Sequence, residues 1–299
     1  MSLVNGKWNG PIVDNHFHLN RNGRFLSAAE DFKKAGGTGL ILVHCPNFSS
    51  PPTTKKEHKN SYFDTILMAE QVREKVEINV RVVLGPHPAA FAHQFELWFE
   101  EEGEKGAQRA IENYNDSIEA ALEFIHEGKA VAIGEVGRPH WDAPKEVFDL
   151  SNQLLEETMK LARTEKIPLQ LHMEENGNQT FADLEEMANR VGLDPFYLVR
   201  HFAPADVSAS MVGKITPSVN LGKDGIKTLI ETCKSTHHGF MLETDYMDDP
   251  RRPGAVLGPK TVPKRTQQLA SLAEENGIDE ELFFTMHQDL PNAIYGEKN

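Results

Sequence analysis

Cysteine is scarce in this chain, which has only Cys45 and Cys233 among its 299 residues. Two cysteines are too few for a disulfide framework, so we expect a protein of the reducing cytoplasm. The chain also lacks any apolar run that approaches the ~20 residues needed for a membrane-spanning helix. Its first ten residues are polar and contain no apolar core of a secretory signal. The sequence therefore predicts no association with a membrane.

Positive charge is also in short supply, because the formal net charge is −14 at pH 7. This balance argues against sequence-independent binding along a long nucleic-acid backbone. It leaves room for phosphate contacts at a metal, because a divalent cation brings its own positive charge. We interpret the acidic run around Glu100–Glu104 as a solvated segment.

Short apolar runs alternate with longer helical patterns along the chain, which is typical of a parallel β/α fold. Several runs, such as GLILV and AVAIG, are continuous and apolar, as strands buried on both faces are. The seventh run is the weakest, because it is short and Pro217 follows it. The predicted strands are Ile12–Phe17, Gly39–His44, Val80–Gly85, Ala130–Gly134, Pro168–His172, Tyr197–His201, Lys214–Thr216 and Gly239–Glu243.

Eight alternating strands favour a closed (β/α)₈ TIM barrel over an open doubly wound sheet. An open sheet has edge strands, and none of the eight runs is polar enough or sufficiently broken by proline to be one. Such a barrel takes ~250 residues, so we expect residues 1–299 to form a single domain. Helices are predicted at Val147–Glu165 and Phe181–Val191, and loops at Cys45–Lys59 and Pro86–Gln108. Both loops follow strands, on the face where barrel enzymes keep their active sites.

Histidines and carboxylates stand where the predicted strands end. His16 and His18 form an H-x-H motif, and alternation along a strand places both side chains on one face. Two imidazoles side by side pack poorly but are good ligands for a divalent metal. The other strand-end residues are His172, His201, Glu135 and Asp245. Any one of them alone is more simply a hydrogen-bonded histidine or a helix cap, but six at one end of one barrel predict a metal site.

Seven motifs occur in an order that resembles the TatD-like metal-dependent hydrolases of the amidohydrolase superfamily. They are DNHFHL, GPHP, GEVG, LHME, RHF, ETD and NAIYG, and they span nearly the whole chain. H-x-H alone is a weak motif, but the ordered set is specific. The resemblance implies a hydrolase with two divalent cations per chain, Zn, Mn or Mg.

The resemblance also implies which residues bind these cations. His16 and His18 would bind the first cation with Asp245, His172 and His201 the second, and Glu135 would bridge both. No lysine ends the fourth strand, so a carboxylated-lysine bridge is not expected. TatD proteins usually follow G-E-x-G with Leu-Asp, whereas this chain continues with RPHW. This departure indicates a divergent, archaeal-type branch and bears on the substrate more than on the metals.

The predicted chemistry is hydrolysis by a metal-activated water, with Asp245 and Glu135 as the catalytic residues and Asp245 as general base. His87 would donate to a phosphate or carbonyl oxygen, although a plain loop histidine is an equal alternative. Arg138 and His140 would overhang the metals and bind a phosphate or protonate a leaving group. Arg138 could equally pair with a neighbouring carboxylate.

Further residues have simpler interpretations. At the rim of the second strand we expect His44 to be a polar pocket residue and Cys45 a packing residue. The remaining histidines, in loops and helical patterns, are expected at the surface: His58, His93, His126, His237, His238 and His287.

The leading predicted function is phosphoester hydrolysis of the TatD deoxyribonuclease type. The resemblance implies DNA ends or short nucleotides as the substrates. The same metals could instead hydrolyse a small amide, lactone or ester, because a fold does not fix its substrate. A metal-binding scaffold without turnover is the third alternative.

Overall fold

The computed structural model describes residues 2–249 and 256–296. Within these ranges eight parallel strands alternate with helices, and their order in the sheet is their order along the chain. We label them β1 to β8: Val13–Phe17, Gly39–Val43, Asn79–Leu84, Ala132–Gly137, Leu169–His172, Leu198–Ala203, Thr216–Asn220 and Met241–Glu243. After β8, the carbonyl of Tyr246 accepts a hydrogen bond from the His18 amide at 2.9 Å, beside a bridge between Phe17 and Tyr246. The predicted (β/α)₈ barrel is thereby confirmed, and it is nearly closed.

The helices lie between and after the strands. In chain order, α1 to α11 are Leu26–Lys34, Lys55–Val76, Pro88–Glu102, Glu104–His126, Lys145–Glu165, Asn178–Val191, Ala209–Val212, Ile226–Thr232, Thr261–Leu272, Glu280–Phe284 and Leu290–Tyr295. A π-helical turn, Thr285–Asp289, joins the last two. An N-terminal hairpin pairs Leu3–Val4 with Lys7–Trp8. No helix among the described residues is long and apolar enough to cross a membrane.

The two predicted loops are shorter than expected. The first, Cys45–Lys59, ends early because α2 begins at Lys55. The second, Pro86–Gln108, was a wrong prediction, because it holds α3 and the start of α4. His87 caps α3 by accepting a hydrogen bond from the Ala89 amide, and Pro88 occupies the first turn, where proline is tolerated. The acidic run spans the junction at Gly103, and its glutamates are exposed, as expected.

Three strands end later than predicted, and one of them is the sixth, which ends at Ala203 rather than at His201. The seventh, predicted as Lys214–Thr216, runs from Thr216 through Pro217 to Asn220. Its pairing with β8 starts at Ser218, so Pro217 lies just before the paired residues. The fourth continues past Gly134 to Gly137, so Glu135 lies inside β4 rather than after it.

The chain folds into two compact units, each with its own buried core. The first unit comprises Met1–Leu42, Met68–Arg81 and Arg200–Asn299. Its core contains Phe17, Phe32, Leu40, Phe240, Leu242 and Phe283, all nearly inaccessible to solvent. The second unit comprises Val43–Leu67 and Val82–Val199. Its core contains Tyr62, Ile66, Val83, Ile133, Leu171 and Phe181.

Candidate metal centre

The H-x-H pair lies at the end of β1 in the first unit. His16 and His18 are buried, and their Nε2 atoms are 3.0 Å apart. Asp245, just after β8, places its Oδ1 atom 3.5 Å from Nε2 of His18 and 3.8 Å from Nε2 of His16. Its backbone is left-handed, with φ of 49°, a conformation that aspartate tolerates better than most residues. Three potential ligands thus converge on one point.

His201 joins this group from β6. Its ring stacks on that of His16, with centroids 4.1 Å apart and planes 18° from parallel. His16, His201 and Asp245 offer ligand atoms that all lie within 4.8 Å of one another. We call His16, His18, His201 and Asp245 the first cluster.

The charge state of Asp245 suits a ligand. Burial raises its pKa, but a hydrogen bond from His18 and the charges of His16 and His201 outweigh that effect. The pKa therefore lies below its ordinary value. An ionised carboxylate can bind a cation and can also accept a proton from a bound water.

Two buried carboxylates support the first cluster. Glu243 Oε1 lies 3.4 Å from Nδ1 of His201 and accepts a hydrogen bond from the Phe202 amide at 2.8 Å. Asp14 accepts from both the amide and the hydroxyl of Thr244, at 3.0 and 2.7 Å, and burial raises its pKa to about 8. Neither residue was predicted from the sequence. Their signal is spacing, because each stands two residues before a predicted ligand, Asp14 before His16 and Glu243 before Asp245.

A second cluster lies in the second unit and consists of His87, Glu135, His140 and His172. Glu135 is buried, and its Oε2 atom lies 2.7 Å from Nδ1 of His172. The other ring nitrogen of His172 is 2.7 Å from Nδ1 of the exposed His140. His87, Glu135 and His172 offer ligand atoms within 4.8 Å of one another. His172, predicted to share a cation with His201, lies in the second unit, whereas His201 lies in the first.

His87 has a geometry that suits a donor better than a ligand. Its Nδ1 atom accepts from the Ala89 amide at 3.0 Å, so a neutral ring carries its proton on Nε2. That Nε2 atom is 3.5 Å from Oε2 of Glu135. A neutral His87 therefore has its one donor, Nε2–H, near the Glu135 carboxylate.

Arg138 adopts the alternative that the sequence left open. Its Nε and Nη2 atoms donate to the two carboxylate oxygens of Glu174, at 2.9 and 2.6 Å. A third contact runs to Asn152, and the guanidinium lies over the ring of Phe148. The side chain is almost completely buried. These contacts make Arg138 an anchor of the loop that carries His140.

His44 is buried after β2, and its Nδ1 atom lies 2.8 Å from the hydroxyl of Thr65. It lines a small cavity together with Pro46, His58, His87 and Phe91. Cys45, beside it, is half-buried.

Glycines allow the strands around Glu135 to approach closely. A Cβ atom on Gly137 would overlap the carbonyl oxygen of His172, and one on Gly134 would lie 2.7 Å from Cβ of Gln170. Both positions therefore require glycine for packing of β4 against β5.

Two histidines predicted at the surface are buried, and that prediction was wrong for them. His58 hydrogen-bonds to Asn113 at 3.0 Å. His287 accepts from the Val13 amide and contacts the hydroxyl of Thr266. Their partners are distant in sequence, which hides the burial from local patterns. The other four are exposed or half-buried: His93, His126, His237 and His238.

The residues of the first cluster fit a divalent cation. Ligands held at about 2.1 Å in a tetrahedral site lie about 3.4 Å from one another. The separations among His16, His18 and Asp245 are 3.0, 3.5 and 3.8 Å. Two or three imidazoles with one carboxylate are a usual ligand set for zinc and related metals.

Comparison with known proteins assigns the family. A sequence model described as TatD-related DNase matches residues 13–296. The chain belongs to this family. It is also 30% identical over 292 residues to an uncharacterized protein of Methanocaldococcus jannaschii, with 95% of each chain covered. The resemblance stated from the motifs is therefore confirmed.

Solved structures share the fold. A TatD homologue from Escherichia coli K12 has a TM-score of 0.58 and 19% identity, covering 96% of this chain and 98% of its own. A TatD-like protein from Archaeoglobus fulgidus has a TM-score of 0.55 and 14% identity, covering 89% and 100%. An uncharacterized amidohydrolase from Saccharomyces cerevisiae has a TM-score of 0.62 and 12% identity, covering 95% and 100%. Family membership and the buried histidine–carboxylate clusters support a metal-dependent hydrolase.

Proposed function

We propose that the protein hydrolyses phosphoesters, with DNA ends or short nucleotides as substrates, and that it uses two divalent cations per chain. The observation that carries this proposal is the pair of histidine–carboxylate clusters, one in each unit. Each contains a carboxylate within reach of imidazole nitrogens, the half-buried Asp245 in the first and the buried Glu135 in the second. Imidazole and carboxylate are the donors that Zn, Mn and, through oxygen, Mg use. The family match adds the precedent of a nuclease.

The proposed ligands follow the motifs. His16, His18 and Asp245 would hold the first cation, and their mutual spacing supports this assignment. His172 and His201 would hold the second. Glu135 would bridge the two, and its oxygen 2.7 Å from His172 supports a place beside that ligand.

The cations would supply an activated water near neutral pH. Asp245, whose lowered pKa keeps it ionised, would serve as the general base for such a water. His87 presents Nε2–H toward the Glu135 carboxylate and donates to the substrate oxygen there. His140, exposed and 2.7 Å from His172, protonates the leaving group.

Two observations favour a second candidate, hydrolysis of a small amide, lactone or ester. Arg138, the guanidinium expected to grip a phosphate, is already held by Glu174 through two hydrogen bonds. A net charge of −14 also disfavours a polyanion. The same cations and the same general base would serve this reaction.

The deciding experiment is a substrate panel on protein of measured metal content. Single-stranded DNA, a model phosphodiester and a set of lactones, amides and esters are each incubated with Mg, Mn or Zn. Phosphodiester cleavage above that of the other substrates supports the proposal, and hydrolysis of the lactones, amides or esters alone supports the second candidate. No turnover by fully loaded protein would indicate a binding scaffold.

A further inference from the structure

A row of aromatic rings crosses the second cluster. Phe48 lies edge-on to His87 at 5.1 Å between centroids, and His87 lies 4.7 Å from His172. The row continues from His172 to His140 at 4.9 Å and from His140 to Trp141 at 5.3 Å. Its three inner rings are the histidines of the second cluster. Its two end residues are Phe48 and Trp141, whose large aromatic side chains are not metal ligands and are not part of the buried core.

Phe48 is an exposed residue on a loop that side-chain hydrogen bonds hold in place. The side chain is 41% exposed, in the segment between β2 and α2. That segment contains three prolines, and the carbonyl of Pro52 accepts hydrogen bonds from Gln94 at 2.9 Å and Asn113 at 3.1 Å. An exposed aromatic ring on a fixed loop beside a catalytic histidine is preorganised to receive a ligand.

Trp141 lies on the loop between β4 and α5, which is also held in place by contacts of its own residues. Arg138 anchors the start of this loop through Glu174, and Pro144 leads into α5. The indole is half-buried and stacks on the exposed His93, with centroids 5.2 Å apart and planes 14° from parallel. Its orientation is therefore set by packing before any substrate binds.

From this row we infer that Phe48 and Trp141 are specificity residues that stack against the flat rings on either side of the bond that is hydrolysed. The inference rests on the proposed function and refines it, because a phosphodiester between two nucleosides carries one base on each side of its phosphate. Stacking is uncharged and tolerates any base, so it suits a chain whose net charge is −14. It also supplies the binding that the occupied guanidinium of Arg138 does not.

The test uses three dinucleotides: one with both bases, one abasic on the 5′ side and one abasic on the 3′ side. Metal-loaded wild-type protein is expected to cleave the first with kcat/KM about tenfold above either of the others. Phe48→Ala should abolish the preference for a base on one side, and Trp141→Ala should abolish it on the other. The conservative Phe48→Tyr and Trp141→Phe variants should retain it.

The matched control is Phe99→Ala. Phe99 is 49% exposed, compared with 41% for Phe48, and it stacks on Phe95. The change therefore removes a ring of comparable exposure that is not part of the row. It should leave the base preference unchanged. Melting temperatures of all variants exclude loss of the fold as the cause.

A binding measurement gives a readout besides turnover. Trp8 and Trp98 are only 3% and 5% exposed, so quenching of accessible tryptophan fluorescence by the two-base dinucleotide reports mainly on Trp141. Quenching should be lost in Trp141→Ala and weakened by removal of the base. Retention of the full base preference in both alanine variants, or its equal loss in Phe99→Ala, would overturn the inference.

Failure of the proposed function would be recognised separately. If wild-type protein cleaves no dinucleotide but hydrolyses esters, the phosphoester proposal is wrong. The same variants are then compared on the benzyl and methyl esters of one acid, whose leaving alcohols are similarly acidic. The stacking inference expects a preference for the benzyl ester that Phe48→Ala or Trp141→Ala removes. An equal rate on both esters would reject the stacking role as well.

Discussion

The two clusters have the same kinds of side chain but different surroundings. In the first, His16, His18 and His201 are buried, and Glu243 and Asp14 stand behind them. In the second, Glu135 is buried, but His140 is exposed and the row of rings continues into loops. The first is supported by strands and by buried hydrogen-bonding carboxylates, and the second opens toward solvent.

The difference in burial between the two clusters suits them to different tasks, metal binding in the first and substrate binding in the second. A metal site needs ligands that stay fixed when the ion leaves, and buried carboxylates behind the histidines provide that fixation. A substrate site needs groups that solvent-borne molecules can reach, and loops carry such groups in barrel enzymes. We therefore expect changes to the histidines of the first cluster to act mainly on metal affinity, and changes at the second cluster to act on turnover and substrate choice as well. Asp245, the proposed general base, is the member of the first cluster whose loss should also lower turnover directly.

Glu135→Gln is the largest test of this division, because it removes the one buried carboxylate of the second cluster without changing its size. Loss of the charge should lower occupancy of at least one cation and reduce turnover by about 10³-fold. Metal analysis and turnover are measured on the same preparation, with the exposed Glu231→Gln as control. Full occupancy with near-normal turnover would remove Glu135 from the bridging role.

Arg138→Ala should act on stability rather than on phosphate recognition. The change leaves the carboxylate of Glu174 without its bidentate partner and removes the packing over Phe148. Breaking a buried ion pair costs about 3 kcal/mol, and the partial exposure of Glu174 makes this an upper value. Urea unfolding of Arg138→Ala, Glu174→Ala and the double variant measures the coupling. A loss of turnover confined to phosphate substrates would instead place Arg138 on the substrate.

The sequence predicted the barrel and the cluster residues for one reason. Histidines and carboxylates stand at or just after the ends of apolar strands, and the carboxyl ends of the parallel strands of a barrel lie on one face. The partner of Arg138 could not be predicted in this way, since Glu174 is 36 residues further along. The same limit applies to His58 and His287, which are buried by contacts across 55 and 274 residues.

The helix that begins at Pro88 was missed for a local reason. We predicted a loop over Pro86–Gln108, which contains the acidic run, yet His87 and Pro88 together form a helix start. The capping role of His87 also fixes its tautomer, a detail that no spacing rule provides.

Glu243→Gln sharpens the comparison within the first cluster. Glutamine keeps the length of the side chain and can still accept from the Phe202 amide, but it no longer places a negative charge 3.4 Å from His201. Metal affinity should fall by about 10- to 100-fold, as for other residues that orient histidine ligands. Competition with a chelator measures the change. Saturating metal should restore most of the turnover, whereas a turnover loss that metal does not restore would assign Glu243 a direct part in the reaction.

His287 is a buried histidine that belongs to neither cluster, so it shows how a structural histidine differs from a potential ligand. Thr266 donates its hydroxyl proton to the carbonyl of Val262, so it accepts from Nε2–H of His287, whose Nδ1 accepts from the Val13 amide. Burial lowers the pKa of His287 from 6.5 to about 4. The folded protein therefore keeps this ring neutral, while the unfolded chain takes up a proton as the pH falls below its ordinary pKa.

The sign of the effect follows from this difference. Stability should fall as the pH decreases from about 6.5 to about 4, and the contribution of His287 between pH 7 and pH 5 is about 2 kcal/mol. His287→Gln preserves an acceptor and a donor but does not titrate, so its free energy of unfolding should depend less steeply on pH over this interval. Parallel urea unfolding of the two metal-depleted proteins at pH 7 and pH 5 isolates this contribution, because chelation removes the competition between protons and metal at the other histidines. Identical slopes for the two proteins would mean that His287 titrates normally in the folded state, and that burial alone does not distinguish structural histidines from those of the clusters.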